Sequence, residues 1–118
     1  MKNNERTTTK MMPSELKTEI CECIKGAVAR VVMYETNNAT TRNFAAAEAN
    51  IQLDRFVIAN SICSYEVICD ESNNPDDVVN DNKLILDAKF KQNPDDDWTW
   101  FTFTFGPQVM DYVEKKQD

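Results

Sequence analysis

The run Trp98-Thr-Trp-Phe-Thr-Phe-Thr-Phe105 alternates its side chains with a period of two. That is the period of an extended strand, and a strand this aromatic must bury one of its faces. Phe101, Phe103 and Phe105 fall on one side and read as core, while Trp98, Trp100, Thr102 and Thr104 fall on the other. Two further runs precede it. Between Ile62 and Asp70, Cys63, Tyr65, Val67 and Cys69 alternate with Ser64, Glu66 and Asp70; then Leu84, Leu86, Ala88 and Phe90 alternate with Lys83, Asp87 and Lys89. Polar turns join the three runs, and none carries an obvious reactive centre. Such a sheet points to contact rather than catalysis.

Upstream the period changes to that of a helix. Pro13 and Ser14 mark a start with Glu15 in the first turn, and Leu16, Ile20, Cys23, Ile24, Ala27, Val28 and Val31 recur at steps of three and four. This predicts an amphipathic helix over 14–33. Gly26 inside it costs up to ~1 kcal/mol against Ala, which implies either close backbone packing or simple tolerance. Asn37, Asn38, Thr40 or Thr41 is expected to cap a second, Ala-rich helix running to about Asn60. Its expected core stripe is Phe44, Ala47, Ile51, Arg55 and Ile58, widened by Leu53, Phe56 and Val57. The linker 71–80 predicts a single helical turn with Asn74 as cap and Pro75 at the first position. Gly106-Pro107 ends the last strand.

The predicted class is α+β, with two helices packed on one face of a mixed or antiparallel sheet of at least three strands. Residues 1–12 are expected to be a flexible N-terminal arm, 13–107 the domain, and 108–118 a C-terminal arm, both arms being extendable.

With 118 residues, 42% hydrophobic and 28% charged, the chain has the size and composition of one soluble domain. No apolar run approaches the ~18 residues that span a bilayer, and the polar start Met1 to Lys10 has no apolar core of a signal peptide. The net charge of −7 argues against a phosphate-binding surface, so no nucleic acid and no membrane partner is expected. There is no histidine, which removes Ser-His-Asp and Cys-His nucleophile systems within one chain. Cys21 and Cys23 sit two apart in a helix, pointing about 200° from each other. Cys63 and Cys69 sit six apart along a strand, roughly 20 Å from each other. Neither pair can bridge within its element, and no Cys-x-x-Cys spacing marks a zinc site, so all four read as small buried hydrophobes.

Asp70, Glu71, Asp76, Asp77 and Asp81 could gather round a calcium ion, but their spacing does not fit the twelve-residue calcium loop and its central glycine is missing. A solvated, cap-rich turn is the simpler reading, so neither a metal nor a cofactor is expected. Asp95-Asp96-Asp97 reads as a turn that discourages wrong edge pairing beside the aromatic strand. Trp98 and Trp100 stand apart: tryptophan is enriched at contact hot spots, so they either form a protein interface or are covered by a local loop.

The chain resembles the C-terminal domain of contractile tail sheath proteins of bacteriophages and related injection machines. The likeness rests on Glu19 to Asn37, a helix ending in an aromatic-rich segment and a Glu-x-Asn turn; on Thr40-Thr-Arg-Asn-Phe44; and on Ser64-Tyr-Glu-Val-Ile-Cys-Asp-Glu-Ser-Asn-Asn-Pro75. Val78 to Phe90 and the last alternating strand follow in the family's order. Together these pieces cover about residues 14–106. The resemblance implies a non-enzymatic virion protein, made in the host cytoplasm and built into the phage tail, whose domain lies against the tail tube. In that family strands from arms of neighbouring subunits join this sheet and knit hexameric rings into a contractile sleeve. Sheath proteins are usually several times longer, so the expectation here is a minimal sheath or a sheath-like ring subunit at the baseplate or neck. Its partners would be further copies of itself and the tail tube or other tail proteins. Expected contact residues are Trp98, Trp100, Thr7, Thr8, Thr9, Val109, Tyr112 and Val113. The alternative from another class is a small acidic phage-encoded inhibitor of a host protein.

Overall fold

The computed structural model describes residues 12–115. Helices α1 (Ser14–Val32) and α2 (Ala39–Ile58) come first, followed by β1 (Ser64–Ile68), a short helix α3 (Asp76–Asn80), then β2 (Leu84–Lys91), β3 (Thr99–Gly106) and β4 (Val109–Glu114). The sheet is an antiparallel meander in the order β1-β2-β3-β4. The α+β expectation is met, with both long helices on one face.

Alternation decides which face that is. Phe90, Phe103, Phe105 and Leu86 are fully buried together with Ile20, Ile24, Val28 and Leu53 of the two helices. Phe90 stacks near Phe101 at 6.1 Å and Phe103 near Phe105 at 6.4 Å between ring centres. Buried phenylalanines on this scale contribute substantially to the domain's hydrophobic stabilisation, beside the aliphatic residues of the two helices. Helix α1 lies over β3 and β4, and α2 over β1 and β2, so the helices follow the two flanks of the sheet.

Two helical expectations need correction. The buried face of α2 is Thr41, Arg42, Ala45, Ala49, Leu53 and Phe56, not the stripe Phe44, Ala47, Ile51, Arg55 and Ile58. Ala45 and Ala49 have no exposure, so the small-residue face lets α2 lie close to α1 and the sheet. Phe44, Ile51 and Ile58 are left on the outside. The helix is capped by Asn38, whose side-chain oxygen accepts from the Thr41 N–H at 2.9 Å. At Gly26, the expected alternative of close packing does not apply, because a Cβ there would meet nothing within 4 Å.

The C-terminal arm expected over 108–118 is also corrected for 109–114, which form β4 inside the sheet. Gly106 pairs with Val109, so Pro107 and Gln108 alone turn the chain back. Two residues suffice to reverse an antiparallel strand. The hairpin is not written in the usual Asn-Gly or Asp-Gly form, which is why alternation after Gly106 reads as a loose tail. The N-terminal arm, with Thr7, Thr8 and Thr9, lies outside the described residues apart from Met12, which is buried in the core.

Because Gly26 is exposed, helical and free of neighbours, Gly26→Ala should stabilise the protein by roughly 0.5–1 kcal/mol through the lower chain entropy of alanine. Urea unfolding followed by circular dichroism measures this; a loss of stability would mean the position is packed after all.

Candidate assembly interface

The face of the sheet away from the helices has its own organisation. Asp87 of β2 is only 7% exposed although it lies on that face. Its carboxylate accepts from the Trp100 indole N–H at 3.0 Å, from the Asn73 side-chain amide at 2.8 Å, and from the Thr102 hydroxyl. A buried carboxylate is tolerated when it is surrounded by donors in this way. Around this centre the lysines lie over the indoles. Lys89 is 5.4 Å from the Trp98 ring centre and 4.9 Å from that of Trp100. Lys91 is 4.6 Å from Trp98 and Lys115 4.2 Å from Trp100. Lys89 also pairs with Glu66 at 3.0 Å. Trp98 and Trp100 are therefore half-buried under lysine side chains, an intermediate outcome between the two readings of the sequence.

The expected contact residues of β4 separate by parity. Register pairs Thr102 with Val113 and Phe103 with Tyr112, so Val113 shares the outer face and Tyr112 the helix face. Val113 is 60% exposed and Val109 is half-buried. Tyr112, expected at an interface, instead closes the core: its ring lies 5.8 Å from Phe101 and 5.5 Å from Phe103, and its hydroxyl donates to Glu22 of α1 at 2.8 Å. Lys17 of α1 likewise bonds the Glu114 carboxylate at 3.1 Å. These two contacts tie β4 to α1.

The outer border of β4 is where main-chain groups are left over. The Lys115 N–H donates to the Trp100 carbonyl at 2.7 Å, which fixes the phase of the ladder. Bonding in an antiparallel pair alternates along the strand, so Val109, Asp111 and Val113 turn their N–H and C=O groups toward β3. Those of Met110, Tyr112 and Glu114 point away from it. No described strand pairs with that border, nor with the far side of β1.

Beyond the end of β1 the opening is managed by side chains. Asn74, 3% exposed, accepts from the Ile85 N–H at 2.8 Å and donates to the Ile85 carbonyl at 2.8 Å. Its amide thus stands in for the strand residue that β1 no longer supplies to β2. Asn37 donates to the same Asn74 oxygen at 3.0 Å and to the Lys83 carbonyl at 2.8 Å, and the buried Arg42 donates to the Asn37 oxygen at 2.7 Å. Asn73 holds the Ile68 carbonyl at 2.8 Å. Asn74 was expected to cap the short helix; Pro75 occupies that position and the Asn74 side chain is spent on β2. Hydrogen-bond partners at this range of sequence are invisible to local pattern reading.

Elsewhere, Asp70 accepts from the Ser72 N–H at 2.9 Å and from its hydroxyl, bonds that hold its carboxyl below the usual range. Among the described residues no three His, Cys, Asp or Glu side chains converge as metal ligands. The four cysteines are unbridged. No described helix is long and apolar enough to cross a membrane. The chain matches no family model, no curated protein and no solved structure.

Two predictions follow from these contacts. Asn74→Ala should destabilise the fold by about 2 kcal/mol, because it strands the Ile85 N–H and one donor of Asn37 and leaves the Ile85 carbonyl only the weak Cys69 thiol bond at 3.4 Å; a urea midpoint within error of the parent would contradict the clasp. The second concerns alkaline pH. Burial, helped by Glu114 and Glu22, pushes the Cys21 thiol from 9.0 up to about 12, and burial first does the same for Cys69. The hydrogen bond to Glu22, then burial, raises Tyr112 from 10.0 to about 12, and burial with the Asp54 bond raises Tyr65 equally. All four groups hold their protons more tightly folded than unfolded. Their contribution is complete below about pH 9 and declines as pH climbs through 12. Urea midpoints should fall across that window, and Tyr112→Phe should make the fall shallower.

Proposed function

We propose that this chain is a structural subunit of a contractile phage tail, a minimal tail sheath or sheath-like ring protein. It assembles round the tail tube by receiving strands of other subunits at the open borders of its sheet. The observation that carries this reading is the row of outward main-chain groups at Met110, Tyr112 and Glu114 on a strand firmly held on its other side. Such a border is a template for another extended chain, and the hydrogen bonds gained are those of any sheet ladder. The resemblance in residues 14–106 supplies the kind of assembly. Two further features support it. The terminal strands β1 and β4 lie on opposite flanks, so a contact that joins one flank to the other is head-to-tail and can close a ring. Trp98, Trp100 and Val113 together offer a half-open aromatic and aliphatic surface beside β4, where an arriving arm can rest its side chains. The subunit would act in the virion tail, with its own copies and tail proteins as partners and without catalysis.

Met110→Pro tests the reading. An edge strand accepts proline where the N–H faces away from the sheet. The variant should keep its fold and lose the rings or fibres that the parent forms, as seen by electron microscopy and by light scattering on a sizing column. Val113→Pro, which removes an N–H facing β3, should unfold the protein and serves as the control. A parent chain that stays monomeric with every tail protein offered would remove the proposal and favour the inhibitor.

A further inference from the structure

Helix α2 leaves a row of large apolar residues in water. Phe44 is 58% exposed, Ile51 51% and Ile58 81%. They recur every seven residues, so they form one continuous line that drifts by only about 20° per step. A line spaced by sevens matches a second helix. Nothing among the described residues covers it. Counting round the helix from Ile51, Glu48 and Arg55 lie on one side of the line, and Ala47 and Asp54 on the other. The Tyr65 hydroxyl already donates to Asp54. Among the described residues Arg55 has only a long contact to Gln52, at 3.4 Å.

We propose that this row is a docking surface for a second copy of this chain, α2 against α2, antiparallel about a twofold axis at Ile51. The row is its own complement in that arrangement. Ile51 meets the partner's Ile51, and Phe44 meets the partner's Ile58 at each end. The twofold axis keeps like flanks on the same side, so Glu48 comes within one residue's rise of the partner's Arg55, and the reverse pair forms once more. Ala47, small and exposed, comes within one residue's rise of the partner's Asp54 and leaves room for it. A parallel pair would turn the two flanks to opposite sides, setting Glu48 beside the partner's Ala47 with no cation to meet it, and would align the helix dipoles unfavourably. Opposite charges on one flank of a symmetric apolar row thus make it complementary to a second copy, and the helix dipoles favour the antiparallel direction. A twofold pair has no polarity and cannot repeat along a polar sleeve, so it is a form of the free chain and is independent of the strand-completion reading. One helical row is small for an interface, so the association belongs in the weak, concentration-dependent class.

Sedimentation velocity across a concentration series tests the pairing. The expected result is a reversible monomer–dimer equilibrium that Ile51→Glu weakens at least about tenfold, with the helical circular dichroism signal kept. Glu48→Lys should weaken it too, and adding Arg55→Glu should restore it. Ile51→Cys in a Cys63→Ser background should give a 51–51 disulfide on mild oxidation, because pairing centred on Ile51 brings the two sulfurs together. A chain monomeric at every concentration overturns the proposal. So does an oligomer indifferent to Ile51→Glu, or a dimer that yields no 51–51 disulfide. Met110→Pro should leave the dimer intact, which separates this contact from assembly at the sheet border.

Discussion

A strand can hydrogen-bond on both sides, and a row of strands that does not close on itself always has two sides left over. The architecture of this domain follows from how it treats those two sides. At β1 the strand is short, and just past its end the chain folds Asn73 and Asn74 back so that side-chain amides take the Ile68 and Ile85 main-chain groups. At β4 the chain does the opposite. The strand is held to α1 by Tyr112 and Glu114 and to β3 by its ladder, and its outer main chain is presented to the surroundings. One border is partly closed by the molecule itself, and the other is rigid and open.

The outer face of the sheet fits that arrangement. Asp87 fixes Trp100, Thr102 and Asn73 by hydrogen bonds, so the indole is oriented before any partner arrives. Lysine stems lie across the indoles and shield them from water without sealing them off. A surface organised in this way loses little side-chain freedom on binding, which favours association.

Much of the fold is legible in the chain. Alternation in Trp98 to Phe105, and in the two runs before it, places the strands and the inward phenylalanines, and the Pro13-Ser14 start marks α1. Three things are not legible, for separate physical reasons. The strand β4 follows a turn without glycine or asparagine at its centre, so nothing local marks a hairpin. The rotation of α2 is ambiguous because apolar residues lie all round it, and a buried polar contact of Arg42 with Asn37, together with alanines that permit close approach, selects the face that carries no large aromatics except Phe56. The use of Asn74 depends on β2, eleven residues later in the chain. In the candidate interface, Trp98 and Trp100 lie on the face that alternation assigned them; Val113 joins that face and Tyr112 falls on the helix side because register with β3, not composition, sets their directions.

Residue-resolved amide exchange of the isolated chain and of its assembled form addresses the open border most directly. In the isolated chain the amides of Asp111 and Val113 should exchange slowly, and those of Met110, Tyr112 and Glu114 quickly. On assembly the three fast amides should slow to the rate of their neighbours. Fast amides that are already protected in the isolated chain, or that stay fast in the assembled form, would contradict an open border completed by another chain.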